Sequence, residues 1–555
     1  MQTKINKRET SMPALLLAVA LLLGATPAPA FTGEAPDLVL LVVVDQLRGD
    51  MPWRFRDRLG DGGFRYLMDQ GISFSNARYR HAHTVTAAGH ATLVTGGNAP
   101  EHGIPGNEWF DRAAAKWVYC LEDERSPEIG LPAEVAGHRS PRNLSSSTFG
   151  DELVLASAGR SRVFAASIKD RAAIIMGGHF GKAFWYSEIS GRMISSAWYF
   201  ESLPEWVQQW NSAKPADRYA GQSWSLLRPP ESYVFIGQDD RVHERPEGGM
   251  GRVFPHLLRN DPGQAHYEAL PYTPMGDELT LDFIKALVRA EQPGLRGHTD
   301  VLAVSFSVTD YVGHAFGPLS LEAEDNFLRL DRTLADLFRF IDREVGLEKT
   351  LVVLSSDHGG APIPEFLTER GLPAGRHDAP RFMLDANDAL QKRFGTTRQL
   401  AVAFANPSIY LDLDAVAELG LDIAAVEQAL AGQMMKVPGI RSAYTRSDLL
   451  AGRFPDTAEA RGVLASFHPR RSGDVLLVPE PFWYLSGDRY GSAATHGSPY
   501  AYDAHVPLMM AGPGVGRGIV HRPVAPRDLA PTISAYLGIA PPSGSVGAVL
   551  AEMLE

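Results

Sequence analysis

Seven residues spread along the chain carry the donor types of one two-metal site: Asp45, Thr86, Asp310, His314, Asp357, His358 and His496. Each stands where an apolar run gives way to a loop, which is where an open α/β sheet presents its functional groups. Carboxylates and neutral imidazoles together suit zinc, and two zinc ions about 4 Å apart can clamp the attacking and leaving oxygens of a phosphoryl transfer. Two Zn2+ per chain are therefore expected.

The run Thr84-Val85-Thr86-Ala87-Ala88-Gly89-His90 places small residues behind a hydroxyl. Such a run lets the chain turn sharply into a helix, whose N-terminus favours an anion such as a phosphoryl group. A Thr86 hydroxyl ionised beside zinc could attack phosphorus. The segment fits a plain threonine helix cap equally well, with Ala and Gly present for packing. His81, His83 and His90 crowd the same stretch, and each reads as a histidine that satisfies local hydrogen bonds.

The elements that must position these groups are legible as patterns. Residues 38–44 and 351–354 are continuous aliphatic runs, as expected of strands buried on both faces. Leu330, Leu334, Leu337 and Ile341 recur at helical spacing and predict a helix packed on the sheet. Strands and helices alternate over 38–110 and 277–360, so the fold class is α/β: a doubly wound, mostly parallel sheet with helices on both faces. The candidate ligands run from Asp45 to His496, and no cut between them leaves a working site. We therefore expect one catalytic domain over 31–555, with an irregular Trp-, Pro- and Gly-rich insertion at about 200–275. A small α+β cap is expected at about 380–480.

Lys4, Lys7 and Arg8, an apolar stretch from Ala14 to Leu23, and Ala28-Pro29-Ala30 together fit a cleaved secretory signal peptide over 1–30. The apolar stretch is too short to span a bilayer comfortably, so no membrane attachment is expected after cleavage, and the location is periplasmic or secreted. Residues 1–30 hold three positive charges and Glu9, so their loss moves the formal charge from −12 to −14. A chain this acidic is a poor nucleic-acid binder, although placed cations and metals can still attract a small anionic substrate. The lone Cys120 cannot form an internal disulfide, and stability must come from a large core. A monomer is expected.

Val44-Asp45-Gln46, Thr86-Ala87-Ala88-Gly89-His90-Ala91-Thr92, Thr95-Gly96, His102-Gly103-Ile104 and Gly106-Asn107 resemble the opening of the alkaline phosphatase superfamily, specifically its PafA-type enzymes. Thr309-Asp310-Tyr311-Val312-Gly313-His314, Ser356-Asp357-His358-Gly359, Thr495-His496-Gly497-Ser498-Pro499-Tyr500 and the ending from Asp503 to Thr532 extend the likeness. The resemblance implies one zinc on Asp310, His314 and His496, and another on Asp45, Asp357 and His358, with Thr86 as nucleophile bridging toward the second. It also implies that Asn107, Lys169 and Arg171 bind the non-bridging oxygens of a phosphate monoester.

By residue type alone, Lys169 and Arg171 follow a strand-like run, 163–166. Residues two apart on an extended chain share a side, so both could reach one set of anionic oxygens. An ordinary charge run at a solvated strand end fits those two residues as well. The expected protein is a secreted, zinc-dependent phosphate-monoester hydrolase with a phosphothreonine intermediate and small phosphate-monoester substrates. The alternatives are a nucleotide pyrophosphatase or phosphodiesterase on the same fold, or a non-catalytic phosphate-ester-binding relative. A sulfatase is disfavoured, because Cys120 lacks the Pro and Arg context that formylglycine formation needs.

Overall fold

The structure, a computed structural model, describes residues 35–485 and 491–554. The expected signal peptide, residues 1–30, lies outside them.

Among the described residues, eleven strands form one sheet: β1 (Leu38–Val44), β2 (Ile72–Phe74), β3 (Glu122–Ile129), β4 (His138–Arg139), β5 (Val163–Ser167), β6 (Lys182–Ser187), β7 (Arg192–Ser196), β8 (Asp300–Phe306), β9 (Thr350–Ser355), β10 (Leu508–Ala511) and β11 (Gly518–Val520). Their spatial order is β11-β2-β10-β9-β1-β8-β5-β6-β7-β3-β4. The five middle strands, β9 through β6, are parallel. The pairs that join the flanking strands to this centre are antiparallel.

The fold is thus the expected α/β sheet with helices on both faces, parallel at its centre and mixed at its edges. The apolar runs explain the centre. Every residue of β1 is buried, as parallel strands covered on both faces must be. Leu38, Leu40, Val42 and Val44 face one core, shared with α3 (Met275–Glu291) and α5 (Leu321–Glu344). Leu330, Leu334, Leu337 and Ile341 of α5 all lie in that core, as their spacing predicts. Val39, Leu41 and Val43 face a second core with α1 (Thr86–Thr95), α2 (Asp170–Gly177) and the late helix Leu529–Leu537. The remaining helix needed below is α4 (Val308–Phe316), which follows β8.

Residues 379–479 carry an antiparallel four-stranded sheet of their own, Ala401–Ala405, Ser408–Leu411, Val475–Pro479 and Ile440–Thr445, with a separate apolar cluster. Residues 201–272 hold short turns and helices and a two-residue strand pair, and they seat Val207, Trp224, Tyr233 and Met250 in the first core.

Gly89 shows how tightly the site-bearing elements pack. A Cβ there would stand 2.1 Å from the carbonyl oxygen of Asp357, in the loop after β9. Only a residue without a side chain lets α1 come this close. Gly89→Ala is expected to lower the unfolding free energy by about 1–3 kcal/mol through overpacking. Denaturant unfolding checks this, and an unchanged midpoint would show that α1 can retreat at no cost.

Candidate active site

The candidate groups gather at the C-terminal ends of four adjacent parallel strands. Asp45 directly follows β1, Asp357 and His358 follow β9, Asp310 and His314 ride on α4 just beyond β8, and Lys169 and Arg171 follow β5. This is the edge where open α/β sheets bind ligands. His496 is brought in from the loop ahead of β10, and Thr86 opens α1.

Val85, not Thr86, occupies the cap position of α1, and no side chain caps that helix. The Thr86 hydroxyl is therefore not a helix cap. Its Oγ1 lies 3.4 Å from His358 Nε2 and 3.5 Å from Arg171 Nη2, at the positive end of the helix. The next N–H, that of Ala87, donates to Asn107 Oδ1 at 2.9 Å. Because a backbone N–H can only donate, the amide oxygen must face it, which leaves the Asn107 NH2 group to donate elsewhere.

The three histidines share one arrangement. Nδ1 of His358, His314 and His496 each meets a backbone carbonyl, of Gly359 at 2.8 Å, Ala494 at 2.7 Å and Thr84 at 2.8 Å. A carbonyl only accepts, so each Nδ1 carries a proton and Nε2 is the nitrogen turned inward, the one whose lone pair a metal would take. The Nε2 atoms of His314 and His496 stand 3.3 and 3.6 Å from Asp310 Oδ1. His358 Nε2 stands 3.5 Å from Asp45 Oδ1 and 3.4 Å from Asp357 Oδ2. The donor atoms of Asp310, His314 and His496 fall within 4.8 Å of one another, as do those of Asp45, Asp310 and His358. Asp310 thus lies between the two groups.

These residues fit a pair of divalent cations. Both oxygens of Asp45 and Oδ2 of Asp357 are fully buried without a hydrogen bond. Such atoms are costly unless something positive meets them. Lys169 is the nearest cation: its Nζ stands 2.8 Å from Asp45 Oδ2, out of hydrogen-bonding alignment, and it also pairs with Asp310 Oδ2. One ammonium among three carboxylates leaves an excess of negative charge. The Asp45 carboxyl is accordingly pushed well up, first by burial and then by Asp310 and Asp357. Burial also opposes ionisation of Asp310, but His314 and Lys169 outweigh it and hold that carboxyl low. His496 is held well below the usual histidine range by burial and by the two other imidazoles, and so stays neutral. The mixed nitrogen and oxygen donor set is the one zinc prefers.

Lys169 and Arg171 converge on the site by a route unlike the expected one. They do not sit two apart on an extended strand. β5 ends at Ser167, Lys169 is the extended residue that precedes α2, and Arg171 lies in the first turn of that helix. The change from strand to helix between them aims Lys169 at Asp45 and Asp310, and Arg171 at Thr86.

Gln46 is a member of the site that residue type did not reveal. At φ 63° it turns back under the carboxylates, donating Nε2 to Asp310 Oδ1 at 2.8 Å and its backbone N–H to Asp357 Oδ1 at 3.1 Å. A Cβ on Gly313 would stand 1.8 Å from Gln46 Oε1, so the glycine between Asp310 and His314 makes room for this side chain. Its position beside Asp45 was the one available signal. Cys120, by contrast, is buried, and burial pushes its thiol up to about 12, which makes it a poor nucleophile.

The family description "type I phosphodiesterase / nucleotide pyrophosphatase" matches residues 39–499. The chain belongs to that family. Alkaline phosphatase PhoV of Synechococcus elongatus is 36% identical over 94% of both chains. A protein of Myroides odoratus described as a calcium-transporting ATPase is 36% identical over 94% of this chain and 95% of its own. Alkaline phosphatase PafA of Elizabethkingia meningoseptica is 34% identical over 97% of this chain and 98% of its own. The crystal structure of PafA superimposes with a TM-score of 0.88, covering 94% of this chain and 99% of that one. Within its family the chain is an enzyme of the alkaline phosphatase kind, with the PafA-type fold.

Proposed function

We propose that the protein is a secreted, zinc-dependent phosphate-monoester hydrolase that works through a phosphothreonine intermediate. The observation that carries this reading is Thr86: a hydroxyl at a helix N-terminus, released from capping and flanked by His358 Nε2 and Arg171 Nη2. Asp310, His314 and His496 would hold one zinc, and Asp45, Asp357 and His358 the other, with Thr86 beside the second. Bound zinc would supply Lewis-acid stabilisation of the attacking and departing oxygens.

The chain's own groups do the rest. Arg171, held near Thr86, and the NH2 of Asn107 offer donors to the non-bridging oxygens, while Lys169 adds positive charge at the carboxylate edge. With the phosphoryl group so oriented, Thr86 Oγ1 would form the new O–P bond in line with the bond to the leaving oxygen, which breaks, and the proton lost from the Thr86 hydroxyl is balanced by the one the departing oxygen takes up to become the alcohol. Water then cleaves the Thr86–phosphorus ester, releasing inorganic phosphate and restoring the hydroxyl. Two donor side chains on the non-bridging oxygens suit a dianionic monoester better than a diester, whose second substituent masks one of them.

Purified protein should turn over p-nitrophenyl phosphate faster than its bis-p-nitrophenyl analogue. Thorough chelation should abolish turnover, and about two equivalents of zinc should restore it. Turnover that persists after metal removal would overturn the zinc-dependent reading. A preference for the diester would assign the chain to the phosphodiesterase side of its family.

A further inference from the structure

The loop that delivers His496 is held from behind by a residue outside the ligand set. Asp503 lies on the short helix Ala501–Ala504, ahead of β10, and is 1% exposed. Its Oδ2 accepts two hydrogen bonds from Ser498, one from the backbone N–H at 2.9 Å and one from the hydroxyl at 2.6 Å. The second has the short length of a hydroxyl bound to a carboxylate. Oδ1 has no hydrogen-bond partner. A single carboxylate oxygen thus takes both donors of the residue two places after His496.

Ser498 passes the constraint on. Its carbonyl accepts from the Thr84 hydroxyl at 2.9 Å, and the Thr84 carbonyl accepts from His496 Nδ1 at 2.8 Å. The bonds close a ring through the chain between His496 and Ser498. Thr84 stands two residues ahead of Thr86, so the ring ties the orientation of the His496 imidazole to the segment that carries the candidate nucleophile.

The backbone of Asp503 meets the other ligand group. Its carbonyl accepts from the Gly359 N–H at 2.6 Å, and the Gly359 carbonyl accepts from His358 Nδ1 at 2.8 Å. A Cβ on Gly359 would stand 2.2 Å from the Tyr502 carbonyl oxygen, so the two segments meet with no room for a side chain.

The near end of the His496 loop is anchored separately. The N–H groups of Ala493 and Ala494 both donate to the His314 carbonyl, at 2.8 and 3.1 Å. Asp503 secures the far end. With that end free, His496 Nε2 could swing away from Asp310, and the groups behind a ligating histidine set how well it binds.

We infer that Asp503 is a positioning residue for the proposed zinc site: through Ser498 and Thr84 it fixes His496 against Thr86, and through its backbone it sets that loop against His358. The inference rests on the zinc reading above. Because Oδ1 makes no bond, one accepting oxygen does the holding, and an asparagine with its amide oxygen in that place would keep both bonds.

The test uses full-length protein equilibrated at graded free zinc, with zinc per chain measured by elemental analysis and kcat, KM and the thermal midpoint read in parallel. Wild type should hold about two zinc ions. Asp503→Ala should lose one of them at a free zinc about tenfold higher than wild type does, and Asp503→Asn should recover most of that affinity. In a His496→Ala background, Asp503→Ala should cost less than about a further twofold in kcat/KM, whereas a residue that only steadied the fold would cost the same in both backgrounds. If Asp503→Ala does not fold, Thr84→Val, which removes only the hydroxyl link of the ring, should shift the same zinc ion in the same direction. Variants that hold both zinc ions as wild type does, equal losses in the two backgrounds, or an asparagine no better than alanine would each overturn the inference. Wild-type protein without zinc would instead defeat the reading on which it rests, so the two failures are distinguishable.

Discussion

Thr86→Ala is expected to lower kcat/KM for an aryl phosphate monoester by on the order of 1000-fold or more, and Thr86→Ser to keep it within about tenfold, if Thr86 is the proposed nucleophile. The difference follows from what the side chain does in the fold. Thr86 is 1% exposed, its hydroxyl caps nothing, and its neighbours are His358 and Arg171, so alanine removes the hydroxyl and two long hydrogen bonds within the site but no helix-capping one. The methyl group takes no part in the attack, so serine loses packing but keeps the chemistry. The measurement is steady-state kinetics with p-nitrophenyl phosphate on both variants, with zinc content and unfolding midpoint checked alongside. A Thr86→Ala enzyme with near-normal turnover and full zinc would mean that water attacks phosphorus directly, and the phosphothreonine step would fall.

Much of this site was legible in the sequence because its groups follow strands that cannot be mistaken. The seven-residue run of β1 and the aliphatic run in β9 are buried on both faces, so the first charged residues after them, Asp45 and Asp357, must lie at the sheet's edge. The flanks of the sheet were not legible for the opposite reason. β2 has three residues, β4 two and β10 four, too few for alternation to show, and β2 and β10 pair antiparallel with each other from opposite ends of the chain. Gln46 was missed because its role depends on a left-handed backbone, and nothing in a non-glycine residue type announces that conformation.

The environment of Lys169 shows a second limit. Its charge and its nearness to Arg171 could be read from the chain, but its partners could not. The junction between β5 and α2 turns it onto Asp45 and Asp310, while Arg171, two residues on, faces Thr86. The loop 239–256 taught the same lesson in reverse. Its composition reads as irregular, yet Glu244 is almost wholly buried. Burial of a charged residue in a loop depends on which helix the loop meets, and that is a tertiary fact.

The double variant Lys169→Ala, Arg171→Ala should lose about 1000-fold in kcat/KM for a phosphate monoester, and about tenfold or less for a matched diester. A charge-assisted hydrogen bond from Arg171 is worth roughly 1.5–3 kcal/mol, and the Lys169 charge adds to it, so losing both from the transition state accounts for a factor of that size. A diester has one charge fewer and a second substituent where these side chains reach, so it draws less on them. The diester arm is needed because Lys169 also offsets the charge of Asp45 and Asp310, and its removal alone could disturb zinc binding. Such a disturbance would depress both substrates alike. Arg171→Ala, which keeps Lys169 paired with Asp45 and Asp310, should already shift the ratio toward the diester. Loss of the wild-type preference for the monoester in the double variant supports the proposed recognition of non-bridging oxygens. Equal losses for both substrates, with zinc retained, would show that these residues serve the site as a whole and that specificity resides elsewhere.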